Sequence, residues 1–168
     1  MRHFTLPTRR KRPTPLLLPL TAASYLALRR TAAGVSQADL ARALIILADN
    51  RRRGPSPRST TTEGRERFRR FLDNVRLLEK SGSLATDRAT LTAIASLFPF
   101  DPAVYHQLAK APNHHPRICR SCGCSGHDPC IDDDHARHDA VCRWITPALC
   151  SHCVDRSIAV QIAAQEAA

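Results

Sequence analysis

The sequence predicts a mainly α-helical protein, with a helical domain over residues 21–112 and a small cysteine-rich module over residues 117–168. Apolar residues recur at helical spacing through the helical domain, whereas all seven cysteines lie between Cys119 and Cys153. Residues 1–20 contain four prolines and five Arg or Lys residues without an acid, which is typical of an extended, flexible basic arm. Three segments of different physical character therefore follow one another.

The formal net charge of +10 is concentrated in the front part of the chain. Residues 21–118 hold sixteen Arg or Lys residues against eight Asp or Glu, and residues 119–168 hold four against seven. Arginine dominates over lysine, and its planar guanidinium donates paired hydrogen bonds to phosphates and guanine edges. This pattern favours double-stranded DNA as the partner, although basic surfaces also serve solubility or acidic partners.

The first two helices are predicted from apolar spacing and from end signals. The first begins near Ala22 and stops at Gly34, because glycine tolerates the left-handed conformation after a helix cap. Ser36 and Asp39 then form a capping-box pattern, with Asp in place of the usual Glu or Gln. The second helix has an apolar face made of Leu40, Ala41, Leu44 and Ile45. Two helices joined by a short glycine-containing turn predict the opening of a helix-turn-helix.

A basic, turn-rich loop follows over residues 49–62, without apolar periodicity. A third helix is predicted from about Thr62, and its apolar stripe is formed by Phe68, Phe71, Leu72, Val75 and Leu78. These side chains are expected in the core rather than stacked on bases.

The stretch from Leu26 to Leu44 contains Gly34-Val35-Ser36-Gln37 and Leu40-Ala41, and it resembles the opening of the Cro-repressor-like (XRE) helix-turn-helix family of phage and bacterial repressors. The stretch from Val75 to Gly82 is similar to the end of that family's recognition helix. Residues 87–98 and 101–108 resemble the family's fourth and fifth helices. The resemblance covers about residues 21–110. It implies a five-helix DNA-binding domain with an insertion at about 49–62, of a type that usually forms homodimers.

The resemblance also implies which residues contact DNA. The third helix would read the major groove, and the N-terminus of the second helix, with Gln37, would touch phosphate. The candidate contact residues on the third helix are Arg65, Arg69, Arg70, Asp73, Asn74 and Arg76. Arginine can pair with guanine and asparagine with adenine. For each single arginine and for Asn74, an ordinary solvated side chain is the alternative.

The cysteine spacing predicts a metal site. Cys119 and Cys122 form one Cys-x2-Cys pair, Cys150 and Cys153 form another, and 27 residues separate the pairs. Two such turns can complete a tetrahedron of thiolates around one Zn²⁺, which leaves a closed, structural site. A knuckle, a short hairpin and a helix carrying the last pair would form a treble-clef-like zinc module with a C-terminal helix. The ion would fold a segment too small to fold alone.

Three cysteines remain, Cys124, Cys130 and Cys142. They form either a second metal site with a histidine or small buried apolar side chains beside the knuckle. The candidate histidines are His127, His135, His138 and His152. The segment resembles a cysteine-rich module of uncharacterised phage-type proteins, and Trp144 is expected to pack against the knuckle. The helix over 154–168 would pack on the module or pair with a second subunit.

These observations predict a sequence-specific, double-stranded DNA-binding transcriptional regulator of phage or bacterial type, with a zinc module for assembly or partner contact. The alternative is a protein-interaction adaptor whose cysteine-rich module is the contact surface. An enzyme is not expected, because no nucleotide loop, catalytic carboxylate pair or nucleophile constellation accompanies the cysteines, although they permit an iron–sulfur cluster. We expect a cytoplasmic protein with neither a transmembrane helix nor a small-molecule substrate.

Overall fold

The computed structural model describes residues 20–51, 61–85, 87–111, 113–114, 116–130 and 141–166. Within these ranges the chain forms six helices and one two-stranded antiparallel sheet, so the mainly helical prediction is confirmed. In order, the elements are α1 (Ala22–Ala32), α2 (Gln37–Asn50), α3 (Thr62–Leu78), α4 (Arg88–Ala95), α5 (Pro102–Lys110), β1 (Trp144–Thr146), β2 (Leu149–Cys150) and α6 (Ser151–Glu166). The predicted basic arm up to residue 19, and residues 52–60 of the predicted insertion, lie outside the described residues.

Each of the first five helices begins at a polar residue whose side chain accepts from backbone N–H groups of the first turn. These N-caps are Thr21, Ser36, Thr61, Asp87 and Asp101. The predicted cap at Ser36 is confirmed, since its hydroxyl accepts from the Asp39 N–H at 3.1 Å and donates to the Asp39 carboxylate at 2.5 Å. Thr21 and Ser24 form a reciprocal capping box that sequence reasoning missed, because Ser stands where Glu or Gln is usual.

The turn between α1 and α2 has the predicted form. Gly34 adopts a φ of +70°, and the helices on its two sides meet at 94°. The N–H groups of Ala33 and Val35 donate to the carbonyls of Arg29 and Arg30, both at 3.1 Å, which closes the last turn of α1. Within the described ranges, no single helix is long and apolar enough to cross a membrane. α1 and α2 together have the required length and hydropathy, but the chain bends sharply between them.

The core of the helical domain is built around α1, α2, α4 and α5. The larger of its completely buried side chains are Tyr25, Leu26, Leu40, Leu91, Ile94 and Tyr105. The Tyr25 ring stacks on Phe100 with centroids 5.3 Å apart, and its hydroxyl accepts from the Asp101 N–H at 3.0 Å. Burial raises the pKa of Tyr25. The Tyr105 hydroxyl accepts from the Ala85 N–H at 2.9 Å, so both buried phenols attach loops to the core.

α3 packs against α2 through the predicted apolar stripe. Val75 is buried, and Phe68, Phe71, Leu72 and Leu78 are half-buried against the core. The buried side of α3 also contains Arg67, which forms an ion pair with Asp49 of α2. The guanidinium of Arg42, on α2, lies 5.3 Å from the ring centroid of Phe68. The α2–α3 contact therefore combines apolar packing with one ion pair and one cation–π contact between the two helices.

α4 is shorter than predicted. It ends at Ala95 rather than near residue 98, and the Ser96 N–H closes it by donating to the Thr92 and Ala93 carbonyls, both at 3.2 Å. The turn that follows buries Phe98 and Phe100. Apolar periodicity cannot separate a helical residue from a turn residue when both face the same core.

Candidate metal centre and nucleic-acid interface

A tight turn from Cys119 to Cys124 brings three sulfur atoms together. The Cys119 N–H donates to the Cys124 carbonyl at 2.8 Å, and the Gly123 N–H donates to the Cys119 carbonyl at 2.9 Å. Gly123 adopts a φ of +78°, and a Cβ at this position would lie 3.0 Å from Cδ of Arg29. The knuckle, meaning this turn, therefore needs glycine both for its backbone conformation and for space.

A hairpin and a helix complete the module in the predicted order. β1 pairs with β2 in antiparallel fashion, and Cys150 ends β2 directly before α6. The Arg120 N–H donates to the Ala148 carbonyl at 2.8 Å, which attaches the knuckle to the hairpin. The Cys142 N–H donates to the Cys130 carbonyl at 3.0 Å, and the Cys142 sulfur lies 3.7 Å from the Cys124 sulfur, so the chain entering the hairpin passes beside the knuckle.

Two overlapping groups of four cysteines have the spacing of metal ligands. Within each group, every sulfur lies within 4.8 Å of the others. One group is Cys119, Cys122, Cys124 and Cys150, and the other is Cys124, Cys130, Cys142 and Cys150. The first group is entirely buried, whereas Cys130 and Cys142 are partly exposed. These six residues, called the cysteine cluster below, could hold a metal ion.

Three of the four predicted zinc ligands, Cys119, Cys122 and Cys150, come together in one group. Cys153 is buried but belongs to neither group found among the described residues, and Cys124 stands in its place. The remaining cysteines also come together, with Cys150 rather than a histidine as the fourth member. The Cys-Gly-Cys of the knuckle was the available signal for Cys124, because it puts a third sulfur in the same turn. His135 and His138 lie outside the described residues.

None of the seven cysteines forms a disulfide. The sulfur atoms of Cys122 and Cys130 lie 3.3 Å apart, well beyond the disulfide length of about 2.05 Å. Hydrogen bonding from the Cys122 thiol lowers the pKa of Cys119, whereas burial raises the pKa of Cys150 to about 12. Because thiolates are the ligands of metal ions, an ion entering this cluster displaces thiol protons.

Arg29 of α1 connects the helical domain to the cysteine-rich module. Its side chain is only 4% exposed, its Nη2 lies 2.8 Å from the Asp128 carboxylate, and its Nε donates to the Pro99 carbonyl at 2.8 Å. Burial raises the pKa of Asp128, and the nearby Arg29 charge opposes that shift. Ile118, directly before the knuckle, belongs to the core of the helical domain. The two predicted domains are therefore packed against each other.

Trp144 packs against the cysteine cluster, as predicted. The guanidinium of Arg117 lies 4.4 Å from the Trp144 ring centroid, in a cation–π contact. α6 contacts the module mainly through its first turn, where Cys153 is buried, while Ile158 and Ile162 farther along are exposed.

The predicted DNA-contact residues of α3 lie on its exposed side. Arg65, Arg69, Arg70, Asp73, Asn74 and Arg76 are all exposed. Residues 65, 69 and 76 are separated by four and seven residues, which is about one and two helical turns, so they form one stripe. The exposed side of α3 that carries all six residues is called the arginine face below. It lies opposite the apolar stripe that packs on α2.

Gln37 is placed differently from the other predicted contact residues. It is half-buried at the start of α2, and its Nε2 donates to the Glu79 carboxylate at 2.7 Å. Its side chain therefore joins α2 to the residue that follows α3, and its contact with phosphate stays a prediction.

Comparison of the chain with protein-family models, with curated proteins and with solved structures gave no match. The roles of the cysteine cluster and of the arginine face therefore follow from their own geometry and chemistry.

Proposed function

We propose that this chain is a sequence-specific DNA-binding transcriptional regulator that places α3 in the major groove of double-stranded DNA. The observation that carries the proposal is the division of α3 into an apolar side, packed on α2, and the exposed arginine face. The major groove of B-form DNA is wide enough to admit an α-helix with its side chains. An exposed helix with several arginines has the shape and charge for that position.

The arginine face offers the chemistry that base edges require. Arg65 and Arg69 can each donate two parallel bonds to guanine. Asn74 lies about 140° around the helix axis from Arg69, so its pairing with adenine would need a base edge outside the reach of these two arginines. Arg76 is paired with Asp73 at 3.3 Å in solvent, and such an exposed pair costs little to open. Arg70 lies about 100° around the helix axis from Arg69, where it suits a flanking phosphate.

Two charged contacts hold α3 in place. Arg67 pairs with Asp49 of α2, and Arg30 at the end of α1 pairs with Glu79 directly after α3. Side chains on fixed helices keep the geometry of recognition better than side chains on loops. The helix can therefore present its arginines without a large ordering cost on binding.

We further propose that the cysteine cluster binds Zn²⁺ in a structural role. Thiolates are soft ligands, and four of them around zinc form a closed site with no open position for chemistry. The ion would stabilise the knuckle, whose neighbours Ile118 and Asp128 contact the helical domain. Zinc would therefore also stabilise α1, because Arg29 of α1 pairs with Asp128 and Arg30 of α1 pairs with Glu79 directly after α3.

The test combines selection of duplexes from a random pool with measurement of Kd by fluorescence anisotropy, using zinc-replete protein. Replacing Arg65 and Arg69, the two proposed guanine readers, together by glutamine should weaken binding to the selected duplex by about 1–3 kcal/mol for each arginine that pairs with a base. That corresponds to about 5- to 150-fold in Kd for each such arginine. The affinity of the unchanged protein should also fall steeply as salt is raised, because bound phosphates release counterions.

The matched control replaces Arg143 and Arg156 by glutamine. Both are exposed residues of the cysteine-rich module, so the control removes the same charge at a distance from α3. It should leave the preference for the selected sequence unchanged. If both double variants bind that duplex equally well, α3 is not the reading helix.

A further inference from the structure

We infer that the cysteine cluster is a binuclear site, in which two tetrahedral metal ions share the sulfur atoms of Cys124 and Cys150. The inference rests on the metal binding proposed above and does not depend on DNA binding. The ions it suits are soft or borderline divalent ions that prefer four thiolates, such as Zn²⁺ and Cd²⁺.

The overlap of the two ligand groups carries this inference. Each group has four members, two members are common to both, and six cysteines take part in all. Two separate tetrahedral sites would need eight ligands, whereas two tetrahedra that share an edge need six. The shared edge is the pair Cys124 and Cys150, which the structure places in both groups.

The sulfur–sulfur distances fit tetrahedra of this size. A regular tetrahedron with metal–sulfur bonds of about 2.3 Å has sulfur–sulfur edges of about 3.8 Å. In the first group, the sulfur atoms of Cys122 and Cys150 lie 3.8 Å apart. In the second group, those of Cys124 and Cys142 lie 3.7 Å apart. Each group therefore contains an edge of the expected length that ends on one of the two shared cysteines.

Hydrogen bonds around the second cysteine group indicate that its sulfur atoms are metal ligands rather than thiols without a role. The Cys130 N–H donates to the Cys142 sulfur at 3.2 Å, and the Cys142 N–H donates to the Cys130 carbonyl at 3.0 Å. Backbone N–H bonds to sulfur orient a thiolate and stabilise its charge, as supporting groups around metal sites do. The sulfur atoms of Cys122 and Cys130, which would be terminal ligands of different ions, lie 3.3 Å apart, whereas two edge-sharing tetrahedra of this size place such atoms about 5 Å apart. These two side chains must therefore move apart when both ions bind.

A cubic iron–sulfur cluster does not fit the same spacing. Its irons and sulfides lie between the four thiolates and hold them far apart, at the outer corners of the cube. Within each cysteine group every sulfur lies within 4.8 Å of the others, which suits one ion per group. The geometry therefore points to two single ions joined by shared sulfur atoms.

The test uses the full chain loaded with cadmium-113, together with native mass spectrometry of the zinc form. We expect two ions per chain and two cadmium signals, each split by coupling to the other through the shared sulfur atoms. One ion per chain, or two signals without mutual splitting, would overturn the inference. A chain that binds no metal would overturn both this inference and the zinc assignment, so the two failures are distinguishable.

Two cysteine variants locate the bridge. Cys142→Ser removes a ligand of the second group only, so it should leave one tightly bound ion and abolish the splitting. Cys153→Ser is the matched control, because Cys153 is buried nearby but lies in neither group, and two coupled ions should remain. If instead Cys153→Ser loses an ion while Cys142→Ser keeps two, the ligand set stated here is wrong. The unchanged chain decides the number of ions even where a variant fails to fold.

Discussion

Arg30 and Glu79 form a two-pronged ion pair that joins the end of α1 to the end of α3. Nε of Arg30 lies 2.5 Å from Oε1 of Glu79, and Nη2 lies 2.9 Å from Oε2. The same carboxylate accepts from Gln37 at the start of α2, while Nη1 of Arg30 donates to the Val35 carbonyl at 2.6 Å. Three helices therefore meet at one buried carboxylate, and the position of α3 depends on it.

We predict that Glu79→Ala destabilises the protein by about 3 kcal/mol, because it leaves the Arg30 guanidinium buried without its partner. The two side chains are only 12% and 7% exposed, so water cannot fully replace the missing carboxylate. The measurement is the free energy of unfolding from urea titration followed by circular dichroism. Asp73→Ala is the control, since the Arg76–Asp73 pair is 59% and 60% exposed and should contribute less than about 1 kcal/mol. Equal destabilisation in the two variants would contradict the structural role of Glu79.

Two glycine variants separate the cost of backbone strain from the cost of crowding at the knuckle. Gly123→Ala must hold a φ of +78° and also place its Cβ 3.0 Å from Arg29 Cδ and 3.1 Å from Leu28 Cβ. Gly34→Ala faces a φ of +70° with open space around it. We expect Gly34→Ala to cost about 1–2 kcal/mol in unfolding free energy from strain alone. Gly123→Ala should cost more.

Gly126→Ala is the matched control for this series, because Gly126 has open space and no positive φ. Its unfolding free energy should stay within about 0.5 kcal/mol of the unchanged protein. The order Gly123, Gly34, Gly126 from largest to smallest destabilisation is the expected outcome. A Gly123 variant no less stable than the Gly34 variant would show that Arg29 yields without cost.

The third prediction concerns acid stability. The Asp87 carboxylate accepts from the N–H groups of Ala89 and Thr90, at 2.9 and 3.2 Å, and from the Thr90 hydroxyl at 2.8 Å. The bond from the Ala89 N–H is the main reason why the pKa of Asp87 is lowered. A lowered pKa in the folded chain means stability that is present above the unfolded-state pKa and is lost as the pH falls below it.

Asp87→Asn tests this, because Asn still caps a helix but carries no charge. The variant should be less stable than the unchanged protein at pH 7, and the difference should shrink as the pH falls from 4 towards 2. Urea titrations of both proteins at each pH give the measurement. Protonation of thiolate ligands in acid affects both chains alike, so their difference isolates Asp87. A difference that does not change with pH would refute the assignment.

The helix starts could be predicted from the sequence because their signals are local. Ser36 lies three residues from Asp39, and Gly34 sets its own backbone angle, so no distant partner is needed to recognise either. The end of α4 could not be predicted in this way. Phe98 is buried in the turn, and only the packing of the folded chain distinguishes that turn from one more helical turn.

The roles of neighbouring arginines also depend on distant partners. Arg29 and Arg30 are adjacent and chemically identical, yet one pairs with Asp128 and the other with Glu79. Nothing in their local sequence separates these roles. The cysteines show the same limit, because spacing favoured Cys153 as a ligand. Cys153 is buried in the first turn of α6 and interacts with Cys150, yet it belongs to neither four-sulfur group among the described residues, which spacing alone does not reveal.

Metal binding is expected to stabilise the helical domain as well as the cysteine-rich module. Arg29 and Ile118 connect the core to the knuckle, so removal of the metal by a chelator should lower the melting temperature of the helices as well as that of the module. Trp144 is the single tryptophan and packs on the cysteine cluster, so its fluorescence reports the module, while circular dichroism reports the helices.

In the metal-loaded protein the two signals should change at the same temperature. Arg29→Ala should separate them, because it removes the partner of Asp128 and the side chain that packs over Gly123. If chelation abolishes the Trp144 signal and leaves the helical transition where it was, the module does not support the helical domain.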